Sequence, residues 1–481
     1  MNTQLTFTAM LPEHLLLLGI VLMLVLEVAG AAKRIALLVA VAVVAAAGGA
    51  ALWLCATGFS GSPFPGQFSV THESLAAKSV VLLLAVPVLL MSRDDFEGGE
   101  FPALLLSSLY GVCLLISSDS YLTMFLGLEL MSLPVYTLVL LAYRRVQSAE
   151  AALKYLVLGG AATAMFLMGV SLLFGQTGTM AIGSFGVALQ SPDIYTRAAI
   201  VLILIAFFLK GAIVPFHAWA PDAYEGASVP VTAYMATIVK AGVMFAVLRL
   251  FTGASFESPI VELVAIFPLI SIVWGNVAAM KQQSFRRMIA YSSIAHAGYM
   301  FYALLGNPAG RMQAVTFYVL TYGVLNLLAF AALPPTDNDY ERDRLDTLKG
   351  LWHRNPFSAV MIAVAMLSLS GLPPFPGFVA KFLIFKNVLA AGYTTYAVIG
   401  LVGSYVGIYF YLRVIQTMFM SAGVATTQVD SSHAHNDQSA VTPAPVAIYR
   451  TSAFAHFAAM LCLAATLVLM FVPGWALGNV S

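Results

Sequence analysis

Residues 80–86 read Val80-Val81-Leu82-Leu83-Leu84-Ala85-Val86. Strands of a membrane barrel alternate in polarity along segments of about ten residues. This run is apolar at every position and does not alternate. Helices and closed barrels are the two ways to satisfy backbone polar groups in lipid, so the run reads as helix. A spanning helix needs about 20 mostly apolar residues. Working outward, fourteen stretches meet that need, near 11–30, 34–56, 72–91, 101–118, 121–143, 150–175, 196–216, 227–252, 259–279, 285–305, 311–333, 356–388, 393–420 and 449–473. The expected fold is an all-α polytopic membrane protein of about fourteen transmembrane helices.

Composition agrees. Of 481 residues, 60% are apolar and 9% charged, where a soluble domain carries about 25% charged residues. The mean hydropathy is +0.89. An ordinary cytosolic enzyme is excluded, and a net charge of +1 offers no electrostatic footprint for nucleic acid. Cys55, Cys113 and Cys462 lie far apart in apolar runs without a CxxC pair. They support neither a disulfide framework nor an iron–sulfur or zinc site. Met1-Asn2-Thr3-Gln4 carries no basic residue, so the first apolar run reads as a retained helix rather than a cleaved signal.

Lysine and arginine in the loops set the orientation. Lys33, Arg34, Arg93, Arg144, Arg145, Lys281, Arg286, Arg287, Arg342, Arg344, Lys349, Arg354 and Arg450 fall in one set of loops and loop-proximal helix ends, and Arg197, Arg249 and Arg311 in the alternate set. The first set is expected on the cytoplasmic side. Both termini then face the periplasm, as an even number of crossings requires. The polar stretch 421–448, with His433-Ala434-His435, reads as a solvated cytoplasmic loop, since no further ligands support a metal site.

Two segments break the apolar pattern alike. Lys210-Gly211-Ala212-Ile213-Val214-Pro215-Phe216-His217-Ala218-Trp219 is one, and Leu369-Ser370-Gly371-Leu372-Pro373-Pro374-Phe375-Pro376-Gly377-Phe378 is the other. Pro215 and Pro374 are 159 positions apart, nearly the separation of the helix starts at 101 and 259. Five helices per unit is an odd number, so consecutive units enter the membrane from opposite sides. Paired Pro/Gly-interrupted helices in corresponding positions point to an inverted-repeat transporter. The expected layout is a three-helix segment 1–100, a first inverted five-helix repeat 101–258, a second 259–420, the loop 421–448 and a last helix 449–481. Helices seven and twelve are expected to be the broken ones.

A charge at the bilayer centre costs roughly 2.5–3.5 kcal/mol on insertion scales. Seven basic residues fall inside the expected helices: Lys78, Lys154, Lys210, Lys240, Lys381, Lys386 and Arg413. Lys78 and Lys386 lie near helix ends and are expected to snorkel. Lys210, Lys240 and Lys381 lie deeper and read as functional. Glu129 follows Tyr121 by eight residues, about 12 Å into the membrane at 1.5 Å per residue, and needs a buried partner. Glu150 and Lys154 are spaced to pair with each other. His217, inside the first break, and His296 are candidate relays because histidine titrates near neutrality. These are groups for handling protons. Burial disfavours an ammonium and a nearby carboxylate favours it, so a lysine with a movable acidic partner is a switchable proton site.

Six stretches together resemble the antiporter-like membrane subunits of respiratory complex I, most closely the N type. They are Phe125 to Pro134; Glu150 to Tyr155; Lys210 to Val231, reading KGAIVPFHAWAPDAYEGASVPV; Ala236 to Gly242; Arg286 to Tyr299, reading RRMIAYSSIAHAGY; and Leu367 to Phe382, reading LSLSGLPPFPGFVAKF. Ser228 stands where that family commonly has proline. Lys381, where the middle sister subunit typically has glutamate, and the lack of a C-terminal lateral helix after 473 favour the N type. Subunits of cation/proton antiporters of the Mrp type share much of the pattern and are the alternative.

The resemblance implies proton pumping driven by quinone reduction elsewhere in an NADH-quinone oxidoreductase of the bacterial inner membrane. It assigns Glu129 and Lys210 to a coupled pair in the first half-channel, His217 and Lys240 to a central relay, and Lys381 to the exit half-channel. Lys154 is the alternative partner of Glu129, and that choice stays open. It implies no cofactor in this chain. FMN, iron–sulfur clusters and the quinone site would belong to partner subunits, alongside antiporter-like sister subunits and small membrane subunits. A passive scaffold would leave Lys210, Lys240 and Lys381 without a reason for their cost.

Overall fold

The computed structural model describes residues 3–96, 99–142, 146–191, 193–252, 260–335, 344–420 and 452–474. The polar stretch 421–448 with His433 and His435, and the basic residues Arg144, Arg145, Arg342 and Arg450, lie outside the described residues. Among the described residues the regular structure is helical, save for a short antiparallel hairpin, Gly61–Phe64 with Phe68–Val70.

Among the described residues, eleven helices are long and apolar enough to cross a membrane. Three expected spans fall short of that measure, each for a visible reason. Glu100–Ile116 has 17 residues. Phe285–Tyr302 carries Arg286, Arg287, Ser292, Ser293 and His296. The stretch 356–388 is two helices, Pro356–Ser370 and Pro376–Ala390.

Local chemistry sets many of the helix starts. Thr71 and Ser120 each accept from the backbone three residues on, while the Ser74 and Thr123 hydroxyls return the contact, closing capping boxes. Asp193, Ser284 and Asn355 cap three more starts. The hydrophobic helices divide by position. In Val229–Leu250 and Gly310–Ala331 most residues are buried by protein, whereas in Leu11–Val28 and Ala453–Phe471 fewer than a third are. The first two form the centre of the bundle, and the others line its rim.

Both expected breaks are present. Ile194–Gly211 ends at Ala212, in the left-handed region with φ 58°. After a turn containing Pro215 the chain resumes as Trp219–Gly226. Pro356–Ser370 ends at Gly371, φ 83°, and resumes at Pro376. Both Pro215 and Pro374 follow cis peptide bonds. Ala212 and Gly371 are separated by 159 positions, as the two prolines are. Gly377 has no room for a side chain: a Cβ there would lie 1.8 Å from the Ser368 carbonyl oxygen. The two half-helices therefore pack almost backbone to backbone. A π-helical stretch, Met235–Val239, delivers the chain to Lys240; such bulges are frequent at functional sites.

Lys78 does not snorkel. Its Nζ lies 2.6 Å from Glu13, and both side chains are fully buried. Glu13 comes from a neighbouring helix, so Lys78 has a buried partner and no need to reach the membrane surface.

Candidate functional site

Glu129 sits near the middle of Tyr121–Leu140. Ser132 and Tyr136 follow at helical spacing on the same face. Lys210 occupies the last turn of Ile194–Gly211, just before the left-handed residue that ends it. Its Nζ lies 3.4 Å from Glu129 Oε1 and donates to Ser132 Oγ at 3.0 Å and Tyr136 Oη at 3.4 Å. A third helix, Val146–Thr177, supplies Thr163, whose hydroxyl donates to the same Glu129 oxygen at 2.5 Å. The helix break puts Lys210 here: the αL turn stops the helix with the ammonium still inside the bundle.

Lys154 is the residue the sequence left open, and the fold takes it elsewhere. It pairs with Glu150 and with Asp222, each at 2.7 Å. Asp222 also binds Arg287 at 2.9 Å, and Arg287 binds Glu225 at 2.8 Å. This partly exposed network ties Val146–Thr177, the half-helix Trp219–Gly226 and Phe285–Tyr302 together.

Lys240 has no acidic partner among the described residues. Its ammonium donates to the Ser293 carbonyl at 2.7 Å and to the Ser293 hydroxyl at 2.5 Å. The Ser293 hydroxyl is 3.3 Å from Tyr224 Oη. One residue away, Ser292 contacts Tyr411 Oη at 2.6 Å. Tyr411 in turn lies 3.0 Å from His296 Nε2, and His296 Nδ1 lies 2.6 Å from Tyr318 Oη. His296 is within electrostatic reach of both Lys240 and Lys381. Lys381, on the second half-helix of the second break, donates to the Ser370 carbonyl at 3.0 Å, and its Nζ sits 5.3 Å above the Tyr299 ring.

His217 is not beside Lys240. It is half-buried, and its Nε2 accepts from the Trp274 indole at 3.2 Å. Among the described residues no hydrogen bond joins His217 to Lys240; the histidine whose hydrogen bonds run toward the Lys240 site is His296, through Tyr411 to Ser292, the neighbour of Ser293. The break turns His217 outward, whereas the helix Phe285–Tyr302 carries His296 inward, where it is 4% exposed.

These contacts form buried polar groups inside the membrane bundle: Glu129 and Lys210 with Thr163, Ser132 and Tyr136, Lys240 with Ser293 and Tyr224, His296 with Tyr318, Tyr411 and Ser292, and Lys381 with Ser370. That is chemistry for passing protons. Among the described residues, no group of three or more His, Cys, Asp or Glu side chains is placed to hold a metal ion.

A family model described as NADH:quinone oxidoreductase/Mrp antiporter, TM, matches residues 118–407, which hold every site residue above except Tyr411. The chain belongs to this family. It is 37% identical over 421 residues to NADH-quinone oxidoreductase subunit N of Pelobacter propionicus, covering 88% of this chain and 90% of that one. A chain of respiratory complex I from Thermus thermophilus with bound Aureothin superposes with a TM-score of 0.80 at 32% identity, covering 97% of this chain and 98% of that one. A chain of the Mrp complex from Dietzia sp. superposes with a TM-score of 0.84 at 22% identity, covering 99% and 96%. That last likeness is one of fold.

Within this family framework, the sequence reading missed Thr163, Ser132, Tyr136, Asp222, Tyr318 and Tyr411. Asp222 had a signal, since it stands three residues before Glu225 in a motif already quoted. The hydroxyls had none. Serine and tyrosine are ordinary in membrane helices, and only the packing shows which of them meet a charge.

Proposed function

We propose that this chain is a proton-translocating membrane subunit of an NADH-quinone oxidoreductase, in the membrane of a bacterium, and that quinone reduction in partner subunits drives protons through its buried polar groups. The observation that carries this reading is the contact between Glu129 and Lys210 inside a membrane bundle. A buried ammonium holds its proton more firmly beside a carboxylate than without one, so separating the pair releases a proton toward the next acceptor. The acceptors are Lys240, then His296 with its tyrosines, then Lys381. Lys154 joins the Asp222 network at the end of the path rather than the central pair. We read 101–258 and 259–420 as inverted five-helix repeats, each with one broken helix, which puts Lys210 and Lys381 at comparable breaks.

FMN, iron–sulfur clusters and the quinone site belong to partner subunits in this reading. The natural partners are other membrane subunits of the same complex. A cation/proton antiporter shares the fold, but the closer likeness in sequence is to subunit N.

The test compares Glu129→Ala, Glu129→Asp and Lys240→Ala in assembled complexes. Proton pumping and quinone reduction are expected to fall together, about tenfold or more for the alanine variants, each tenfold being 1.36 kcal/mol of barrier. Glu129→Asp is expected to be milder. Assembled alanine variants that pump normally would remove these residues from the mechanism.

A further inference from the structure

The Thr163 hydroxyl carries one proton and faces two acceptors. One is Glu129 Oε1 at 2.5 Å, and the other is the Gly159 carbonyl, one turn back on the same helix, at 3.1 Å. It can donate to only one of them at a time. Glu129 Oε1 is also the oxygen that lies 3.4 Å from Lys210. All three groups line one recess, with Phe125, Phe166 and Phe207 as its walls. Its cavity volume is about 10 Å³, the scale of a single water molecule. Apolar walls leave few other partners for the carboxyl.

We propose that Thr163 is a positioning residue for Glu129 whose hydroxyl switches between the carboxylate and the Gly159 carbonyl as Glu129 loses and gains its proton. When Glu129 is ionised, Thr163 donates to Oε1 and joins Lys210 in holding the negative charge. When a proton arrives, Oε1 becomes an O–H group and can no longer accept from both. The Thr163 O–H bond then rotates to the Gly159 carbonyl, and its oxygen accepts from the new carboxyl O–H. No bond of Thr163 breaks. The proton stays on Glu129, and Lys210 keeps its contacts with Ser132 and Tyr136. Both protonation states are thereby partnered without moving a helix, which suits a site that must cycle between them. The Gly159 contact is the back-bond to the preceding turn that helical threonines commonly make, as Thr237 and Thr466 do here. The second acceptor lets the same hydroxyl serve the protonated state.

This inference rests on the proton-translocating reading above, so its test carries a control for that reading. Thr163→Val keeps the side-chain shape and removes the hydroxyl, Thr163→Ala removes it from a smaller side chain, and Thr163→Ser restores it. All are measured in the assembled complex, beside Glu129→Gln. The valine and alanine variants are expected to lose about tenfold in pumping-linked quinone reduction, which is 1.36 kcal/mol, the scale of a hydrogen bond to a charged group. The serine variant is expected to recover most of it. In infrared difference spectra the carboxyl band that Glu129→Gln abolishes is expected at higher wavenumber in Thr163→Val and back near its native position in Thr163→Ser. An assembled Thr163→Val or Thr163→Ala complex with native turnover and a native band overturns the inference. So does a serine variant as impaired as valine, because the methyl group would then be what matters. Normal pumping by Glu129→Gln would instead overturn the parent reading, whatever Thr163 does.

Discussion

At the scale of single residues, cost identifies purpose. Glu13 and Lys78 are both fully buried at 2.6 Å, and the Lys78 Nζ lies 4.8 Å above the Phe68 ring. Removing one partner of a buried pair strands a charge and costs about 3–5 kcal/mol, whereas replacing both with apolar residues is often neutral. Glu13→Leu is therefore expected to lower the amount of folded subunit in membranes sharply, and Glu13→Leu with Lys78→Met to restore most of it. Quantifying the subunit in membranes of the three strains checks this. A double variant no better than the single one would show that the ion pair itself is required. The same residues show where sequence stops. Lys78 lies six positions into its helix, and position alone assigns it to the membrane surface. Only the long-range approach of Glu13 reverses that. Glu129 has the same history. Its depth required a buried partner, but choosing Lys210 over Lys154 depends on where two other helices pack. Ser132→Ala removes a hydrogen bond from the Lys210 ammonium, a contact worth about 1.5–3 kcal/mol, and leaves the Glu129 and Tyr136 contacts in place. Pumping should fall less than in Glu129→Ala, and an equal or larger loss would give Ser132 a role beyond support.

At the scale of elements, the breaks were legible because glycine and proline punctuate helices for steric reasons that need no neighbours. The runs 196–216 and 356–388 were apolar enough to hide their interruption from hydropathy, yet Pro215 and Pro374 marked it. The role of Gly377 was not legible, because it is set by the Ser368 carbonyl across the turn. Gly377→Ala forces that carbonyl away and is expected to disturb Lys381, whose ammonium donates to Ser370 on the same half-helix as Ser368. Pumping is expected to fall with the subunit still in the complex, and native pumping would show that the half-helices slide without harm. The Asp222 network is a different kind of tie. Lys154 is 44% exposed and Asp222 30%, so solvent screens each bridge and it adds little to stability. Asp222→Asn is thus expected to assemble normally. It would also free the half-helix Trp219–Gly226 from two neighbouring helices at once, and a several-fold loss of pumping is the expected result. Failure to assemble would make the network structural.

At the scale of the whole molecule, the charges sort into two ends, and contacts within each end agree with the loop count. The backbone of Leu345 donates to Gln283, and Ser284 bridges to Arg344. Arg287 reaches Asp222, which holds Lys154. Segments 281–287, 344–354, 150–154 and 222–225 therefore share an end, and it holds Lys281, Arg286, Arg287, Arg344, Lys349 and Arg354, all expected on the cytoplasmic side. At the other end, Arg249 donates to the Ser118 carbonyl and contacts Asp119, while Arg311 donates to the carbonyls of Phe251 and Gly306. These arginines are held by backbone oxygens near helix ends, so their charge is used locally rather than left free at the surface. An excess of lysine and arginine in short loops biases those loops to the cytoplasm. The sparse end is accordingly expected to face the periplasm and the crowded end the cytoplasm. Single cysteines in place of Lys281 and Lys349, and in place of Gln67 and Thr179 at the opposite end, are to be probed with a membrane-impermeant thiol reagent on intact cells. The last two are expected to react from outside, and the first two only after the membrane is opened. The reverse pattern would invert the orientation.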